Sequence, residues 1–189
     1  MPWGRKLERA LHIVFALIAV VWVLLGLLLV FIHMTEPADA AETCPAVVWP
    51  KLGPPIVKLQ PGDLRALAGV GWGEARGEGF CSMLAVQAVV INRMRTAPKT
   101  FGATVSQVLG KPNQFSIFGK SDPNRAKVAG LDERDPLFLA ATLAALAALS
   151  GVDPTSGAVY FHHRDMLPDW AARTVISAQI GSHVFRKAK

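Results

Sequence analysis

The 189-residue sequence predicts a mainly helical, α+β domain behind one N-terminal transmembrane helix. Three observations carry that expectation. From Leu11 to Ile32 almost every residue is Leu, Val, Ile, Ala, Phe or Trp, a run of the roughly 20 residues that a helix needs to cross a bilayer. Between Asp63 and Leu149 apolar residues recur at helical spacing, in stretches bounded by capping residues, glycines and prolines. Strand-like pattern is confined to short pieces, of which Ala158 to His162 is the clearest.

Residues 1–10 carry Arg5, Lys6 and Arg9, whereas Glu36, Asp39 and Glu42 follow the apolar run. By the positive-inside rule the N-terminus is cytoplasmic, residues 11–32 are a single-pass anchor in the inner membrane, and the rest is extracytoplasmic. Ala38-Asp39-Ala40 resembles a small-residue cleavage site, but the apolar run exceeds a signal peptide's usual core, so a retained anchor is expected. Cys44 lacks the preceding small residue that lipidation would want. Residues 33–62 form a tether, with Pro45, Pro50, Pro54, Pro55 and Pro61 keeping much of it extended.

The folded domain is expected at 63–189. Asp63 is placed to cap a helix bearing Leu64, Leu67, Ala68 and Gly71, which delivers Glu74 near its end. A second helix runs from about Ser82 to Arg95; its wide apolar surface implies burial. Thr104 caps a short helix through Leu109, and Gly110 to Gly130 reads as irregular or β-like. Asp135-Pro136 opens a helix over Leu137 to Leu149, stopped by Gly151. Its alanines admit close neighbours while its leucines fill the spaces between them. The tail beyond His162 reads as mixed and loop-rich.

The most unusual stretch is Gly71-Trp72-Gly73-Glu74-Ala75-Arg76-Gly77-Glu78-Gly79, where two carboxylates and a guanidinium sit among four glycines. Glycines weaken regular structure and let backbone or ligand come close. Local stability is given up for access, which suits a catalytic carboxyl. Cleaving a glycosidic bond requires a proton donor at the leaving oxygen, one still protonated near neutral pH. Trp72 and Phe80 are placed to desolvate Glu74, Glu78 to raise its pKa by like charge, and Arg76 to lower it.

Net charge is +6, and residues 44–189 hold seventeen of the basic and ten of the acidic side chains. A basic domain favours a polyanionic partner. Nucleic acid is not expected, because the domain lies outside the cytoplasm and its basic residues are scattered. Cys44 and Cys81 are too few for a disulfide scaffold and lack zinc spacing, though export permits one bond between them.

Several short motifs recur together: Gly73-Glu74-Ala75-Arg76-Gly77-Glu78, Ala85-Val86-Gln87-Ala88-Val89-Val90-Ile91-Asn92-Arg93, Phe101 with Thr104-Val105 and Val108, and Gln114-Phe115-Ser116. Asp153, Thr155, Gly157-Ala158, Tyr160-Phe161, Pro168, Trp170, Gly181, His183 and Phe185 continue the series. Their order and spacing resemble the SleB-type cell wall hydrolases, which include spore-cortex-lytic enzymes, over about Leu64 to Phe185. The resemblance implies a lysozyme-like helical domain with a small β-containing lobe, acting on peptidoglycan glycan strands, with Glu74 as catalytic acid; separately, the residues lead to the expectation of no metal and no cofactor. The resemblance also implies the chemistry of a lytic transglycosylase, which cleaves between N-acetylmuramic acid and N-acetylglucosamine and forms a 1,6-anhydro end. One carboxylate suffices for that reaction, whereas ordinary hydrolysis calls for a pair.

Glu78 and Asp153 are the carboxylates that would fold back to the site, as substrate contacts or as a second acid. Gln114, Ser116, Thr155 and Tyr160 are candidate sugar-binding groups, with Trp170 as a stacking ring. Asn92 and Arg93, late in a buried helix, are explained at least as well by bonds to the second lobe. His162-His163 and Arg186 depart from the family pattern. A metallohydrolase built on His162, His163 and His183 is disfavoured, because adjacent strand residues point to opposite faces. A tethered, inactive wall-binding module is the remaining alternative.

Overall fold

The computed structural model describes residues 44, 59–112, 114–118, 122 and 124–189, all within one unit, Glu42–Lys189. The expected anchor at 11–32 and most of the tether lie outside the described residues; among those described, no helix is long and apolar enough to cross a membrane.

Helix α1 spans Asp63–Ala75, a 3₁₀ turn follows at Arg76–Glu78, and α2 spans Gly79–Thr96. The short helices α3 (Pro98–Phe101), α4 (Val105–Leu109) and α5 (Asn124–Ala129) lead to α6 (Pro136–Leu149), with a 3₁₀ turn at Ser116–Phe118 between α4 and α5. Strand β1 is Tyr160–His163; a 3₁₀ turn at Asp169–Arg173 precedes β2 (Thr174–Ile180) and β3 (His183–Ala188). The antiparallel sheet has the order β1-β3-β2, with Phe161 opposite Phe185, His163 opposite His183 and a bulge between Ile176 and Ala178.

Helix α2 is the buried centre that its apolar surface predicts: fourteen of its residues, Cys81 through Met94, are buried. Gln87 binds the three long helices together. Its side chain is fully buried, and Nε2 donates to the Leu67 carbonyl of α1 at 3.1 Å and the Ala141 carbonyl of α6 at 2.9 Å. The amide fits because position 71 is glycine, where a Cβ would lie 2.2 Å from Gln87 Nε2.

Four local expectations are corrected. Asp63 is the first residue of α1 rather than its cap; Gly62, at φ 89°, takes the cap position, and the Asp63 carboxylate accepts from the Gln60 N–H at 2.7 Å. There it also meets the positive end of the helix dipole. In α6 the alanines do face inward, with Ala141, Ala144, Ala145 and Ala148 at most 1% exposed, but Leu137, Leu139, Leu143 and Leu146 are 46–53% exposed. Close packing against α1 and α2 admits only the small side chains, so the leucines are turned outward. The 110–130 stretch holds a 3₁₀ turn and α5, with no strand among its described residues, and all the sheet lies beyond Ala158. Finally, the tail is ordered as a β2–β3 hairpin turning at Gly181-Ser182, with Gly181 at φ 57°, a geometry that favours glycine in the first turn position.

The caps at Thr104 and Asp135 form as expected, accepting from the N–H groups of Gln107 and Phe138. Cys44 and Cys81 are joined by a disulfide across a sequence separation of 37. By the chain-entropy relation, closing a loop of that length contributes about 4 kcal/mol.

Candidate active site

Glu74 lies on the last turn of α1, partly buried. Its Oε1 accepts from the Ser116 hydroxyl at 3.1 Å and from the Ile117 backbone N–H at 3.1 Å. Oε2 has no hydrogen-bond partner among the described residues. The loop that supplies both donors is drawn against α1 at Gly73, where a Cβ would lie 2.5 Å from Ile117 Cγ1. The chain itself therefore uses the space that the glycine leaves, and Ile117, 1% exposed, fills it.

Arg76 does not neutralise Glu74. Its guanidinium sits over the Trp72 ring at 4.1 Å, and it donates to the carbonyls of Trp72 and Gly73 and to Asn124 Oδ1. No ion pair joins Arg76 to Glu74 among the described residues. Trp72 is buried beneath it, while Phe80 remains 39% exposed.

Glu78 is turned away to the sheet. Its carboxylate accepts from the Ser182 N–H at 2.8 Å and the Ser182 hydroxyl at 2.5 Å, and pairs with His183 Nδ1 at 3.1 Å. Burial alone would raise its pKa, but the Ser182 bonds and the His183 contact outweigh burial and hold it below the ordinary carboxylate value. The hairpin turn can approach this closely because residue 181 is glycine, where a Cβ would lie 2.3 Å from Glu78 Oε2. Glu78 thus latches the β2–β3 hairpin to the α1–α2 junction. Sequence reasoning missed this pairing, though the glycine at 181 and the polar Ser182-His183 that follow it were its signal.

Asp153 and Thr155 are likewise occupied. Asp153 accepts from Asn92 Nδ2 at 2.9 Å, from the Thr155 N–H and hydroxyl at 2.8 and 2.6 Å, and from the Gly157 N–H at 2.8 Å. Thr155 is fully buried, so no polymer reaches its hydroxyl. Together with Asn92, which also donates to the Ala158 carbonyl, these residues fasten the loop before β1 to α2. That corrects the expectation that Thr155 touches sugar.

Arg93 donates from Nε to the Val159 carbonyl at 2.8 Å and lies between the Phe101 and Phe115 rings, at 4.8 and 4.9 Å. Burial lowers its pKa to about 10, opposed by the nearby Tyr160. Both Asn92 and Arg93 therefore bond across to the second lobe.

Gln114 is partly buried and makes no side-chain hydrogen bond to a described residue. It shares the loop of Ser116, two positions before it. Tyr160 and Trp170 stack at 5.3 Å with an interplanar angle of 30°, both partly exposed, and Tyr160 meets Phe101 edge-on at 5.7 Å. The structure thus brings Ser116 to Glu74, forms a separate aromatic pair at Tyr160 and Trp170, and assigns Glu78, Asp153 and Thr155 to holding lobes and loops together. Among the described residues no group of three or more His, Cys, Asp or Glu is placed to hold a metal ion. His162 packs edge-on to Trp170, whereas His163 faces His183.

Comparison with known proteins accords with this architecture. The catalytic domain of the Bacillus cereus SleB protein superposes with a TM-score of 0.56 at 30% identity, covering 69% of this chain and 93% of that one. The catalytic domain of the germination-specific lytic transglycosylase SleB from Bacillus anthracis gives 0.56 at 30% identity, covering 68% and 97%. Among curated proteins, the spore cortex-lytic enzyme of Oceanobacillus iheyensis is 32% identical over 145 residues, 71% of this chain and 46% of that protein. That of Bacillus subtilis is 29% identical over 128 residues, 65% and 37% respectively. The chain thus spans less than half the length of these curated relatives. The family model described as Cell Wall Hydrolase matches residues 77–186, beginning three positions after Glu74. A match over more than half of the chain, joined to a shared fold of helices and one small antiparallel sheet, places this protein in the Cell Wall Hydrolase family.

Proposed function

We propose that the domain is a lytic transglycosylase that cleaves peptidoglycan between N-acetylmuramic acid and N-acetylglucosamine, with Glu74 as acid and then base. The observation that carries the reading is the asymmetry of the Glu74 carboxyl: Oε1 is oriented by Ser116 and Ile117, and Oε2 has no partner among the described residues. A carboxyl held by one oxygen presents the other for proton transfer in a fixed direction. Oε2 gives its proton to the leaving glycosidic oxygen. It then takes one from the muramic acid C6 hydroxyl as that oxygen attacks C1, which closes the 1,6-anhydro ring.

Occupation of the other carboxylates supports this one-acid chemistry over a hydrolytic muramidase, which needs a second carboxyl to activate water or attack the sugar. Glu78 is spent on Ser182 and His183, and Asp153 on Asn92, Thr155 and Gly157. Tyr160 and Trp170 supply ring surface for sugar stacking, and Gln114, whose amide has no partner among the described residues, a group for hydroxyl or acetamido contacts. The apolar run at 11–32 and the basic residues before it favour a single-pass anchor in the inner membrane, with the domain on the periplasmic face.

Zymography on purified wall with Glu74→Gln tests the catalytic claim. The amide keeps the shape and loses the transferable proton, so clearing should vanish while the variant stays folded and still sediments with the wall. Persistent clearing by the variant defeats the assignment. If the unaltered protein binds wall without ever clearing it, the domain is the inactive binding module.

A further inference from the structure

We infer that a second site lies on the β lobe and takes a free amino-acid end, an ammonium and a carboxylate close together, as the peptides of cell wall polymer carry. Its identification with the wall peptide rests on the proposed function; the site itself rests on a cleft of about 390 Å³ lined by Leu167, Pro168, Asp169, Ala171, Ala172 and Arg186. Glu74 does not line it.

Arg186 is held as a preset anion donor. Nε donates to Thr174 Oγ1 at 2.8 Å, and Nη2 to the carbonyls of Ala171 and Thr174 at 3.0 and 3.3 Å. These bonds fix the guanidinium plane and leave Nη1 with no partner among the described residues. A guanidinium already immobilised loses little freedom when it binds a carboxylate, and the resulting bond is charge-assisted. Among the described residues no carboxylate lies within ion-pair distance of Arg186, and Asp169, which lines the same cleft and is exposed, has no cationic partner. One charge of each sign in one cleft, neither with an ion-pair partner among the described residues, is complementary to a ligand that carries both.

The rest of the lining narrows the class. Leu167, 82% exposed, with Pro168, Ala171 and Ala172, offers apolar contact suited to short aliphatic side chains. No aromatic ring among the described residues lines the cleft, so they give it no stacking surface of a sugar site, and a single cation beside a carboxylate does not suit a polyanion. Asp169 and Ala171 flank Trp170 in one 3₁₀ turn, and Trp170 stacks on Tyr160. A peptide branching from a glycan strand on that aromatic pair would therefore start beside the cleft. The site then favours strands that still bear their peptides over strands that have lost them.

The test compares kcat/KM of the full chain on glycan strands that carry their peptides and on strands stripped by an amidase. Calorimetry with the free tripeptide L-Ala-γ-D-Glu-diaminopimelate runs alongside. One charge-assisted bond in a solvent-open cleft corresponds to roughly a five- to ten-fold preference for peptide-bearing strands. Ala172→Trp fills the cleft from an exposed position, and Arg186→Gln removes the charge; each should bring the ratio to about one and abolish tripeptide binding, with folding checked by thermal melting. Equal rates on both substrates in the unaltered protein, or a preference that survives Ala172→Trp, overturns the inference. Glu74→Gln keeps the two claims apart: loss of cleavage on both substrates with tripeptide binding intact supports the cleft and the catalytic assignment together, and retained cleavage would remove only the latter.

Discussion

Replacing Gly73 by alanine tests how Glu74 is positioned. The added Cβ would stand 2.5, 2.8 and 2.9 Å from Cγ1, Cδ1 and Cβ of Ile117, against the 3.5–4.0 Å of ordinary carbon contact. Ile117 has no room to rotate away, being 1% exposed, so the loop must retreat from α1 by about 1 Å. Overpacking of that kind costs about 1–3 kcal/mol, and alanine returns about 1 kcal/mol as the better helix former. The net loss is therefore at most about 2 kcal/mol, a drop of several degrees in Tm for a domain of this size. Activity should suffer more. A 1 Å retreat lengthens the 3.1 Å bond from the Ile117 N–H to Glu74 beyond hydrogen-bond range, and misplacement on that scale costs about a hundred-fold. The assay is dye release from labelled wall at a temperature where circular dichroism shows the variant folded. Gly77→Ala is the control, because nothing lies within 4 Å of a Cβ there and its φ is not in the left-handed region. Gly73→Ala with unaltered turnover would refute the claim that the 116–118 loop positions the acid.

Three further outcomes follow from the fold. Gly71→Ala puts a Cβ 2.2 Å from Gln87 Nε2 and expels that amide from its two carbonyl acceptors, so urea unfolding should show a loss of about 2 kcal/mol or more; a neutral result would mean that Gln87 does not bind the helices together. Glu78 has a folded-state pKa below its ordinary 4.5, so its contribution is complete above about pH 4.5 and fades as pH falls through the lower folded value; Glu78→Gln should lower Tm at pH 7 and flatten the acid side of the Tm–pH curve, and an unchanged curve would contradict the latch. Reducing the Cys44–Cys81 bond should lower stability by up to about 4 kcal/mol in urea, whereas a change within 0.5 kcal/mol would show that the loop is already constrained when reduced.

Much of the helical lobe was legible because its signals are local. Asp135-Pro136 and Thr104 cap the helices that they announce, and the apolar surface of α2 is as buried as its width implies. Glu74 stands out in the sequence from the conflict between charge and glycine around it, and the structure brings Ser116 and Ile117 to its carboxyl. What was not legible depends on partners distant in sequence. Alanine and leucine are both apolar, so only the closeness of α1 and α2 decides that the alanines of α6 face in and its leucines out. Glu78 carries the same charge as Glu74, and only the approach of Ser182, 104 positions later, makes it a latch. Asp153 and Thr155 read as sugar-binding polar groups because nothing local shows that Asn92 reaches them across 61 and 63 positions. The β2–β3 hairpin was hidden because its bulge after Ile176 interrupts the alternation that marks a strand.

The most direct measurement is mass spectrometry of glycan fragments released from purified peptidoglycan by the unaltered protein and by Glu74→Gln. The account predicts 1,6-anhydro-muramic ends from the former and no fragments from the latter. Reducing ends from the unaltered protein, or anhydro ends from the variant, would contradict it.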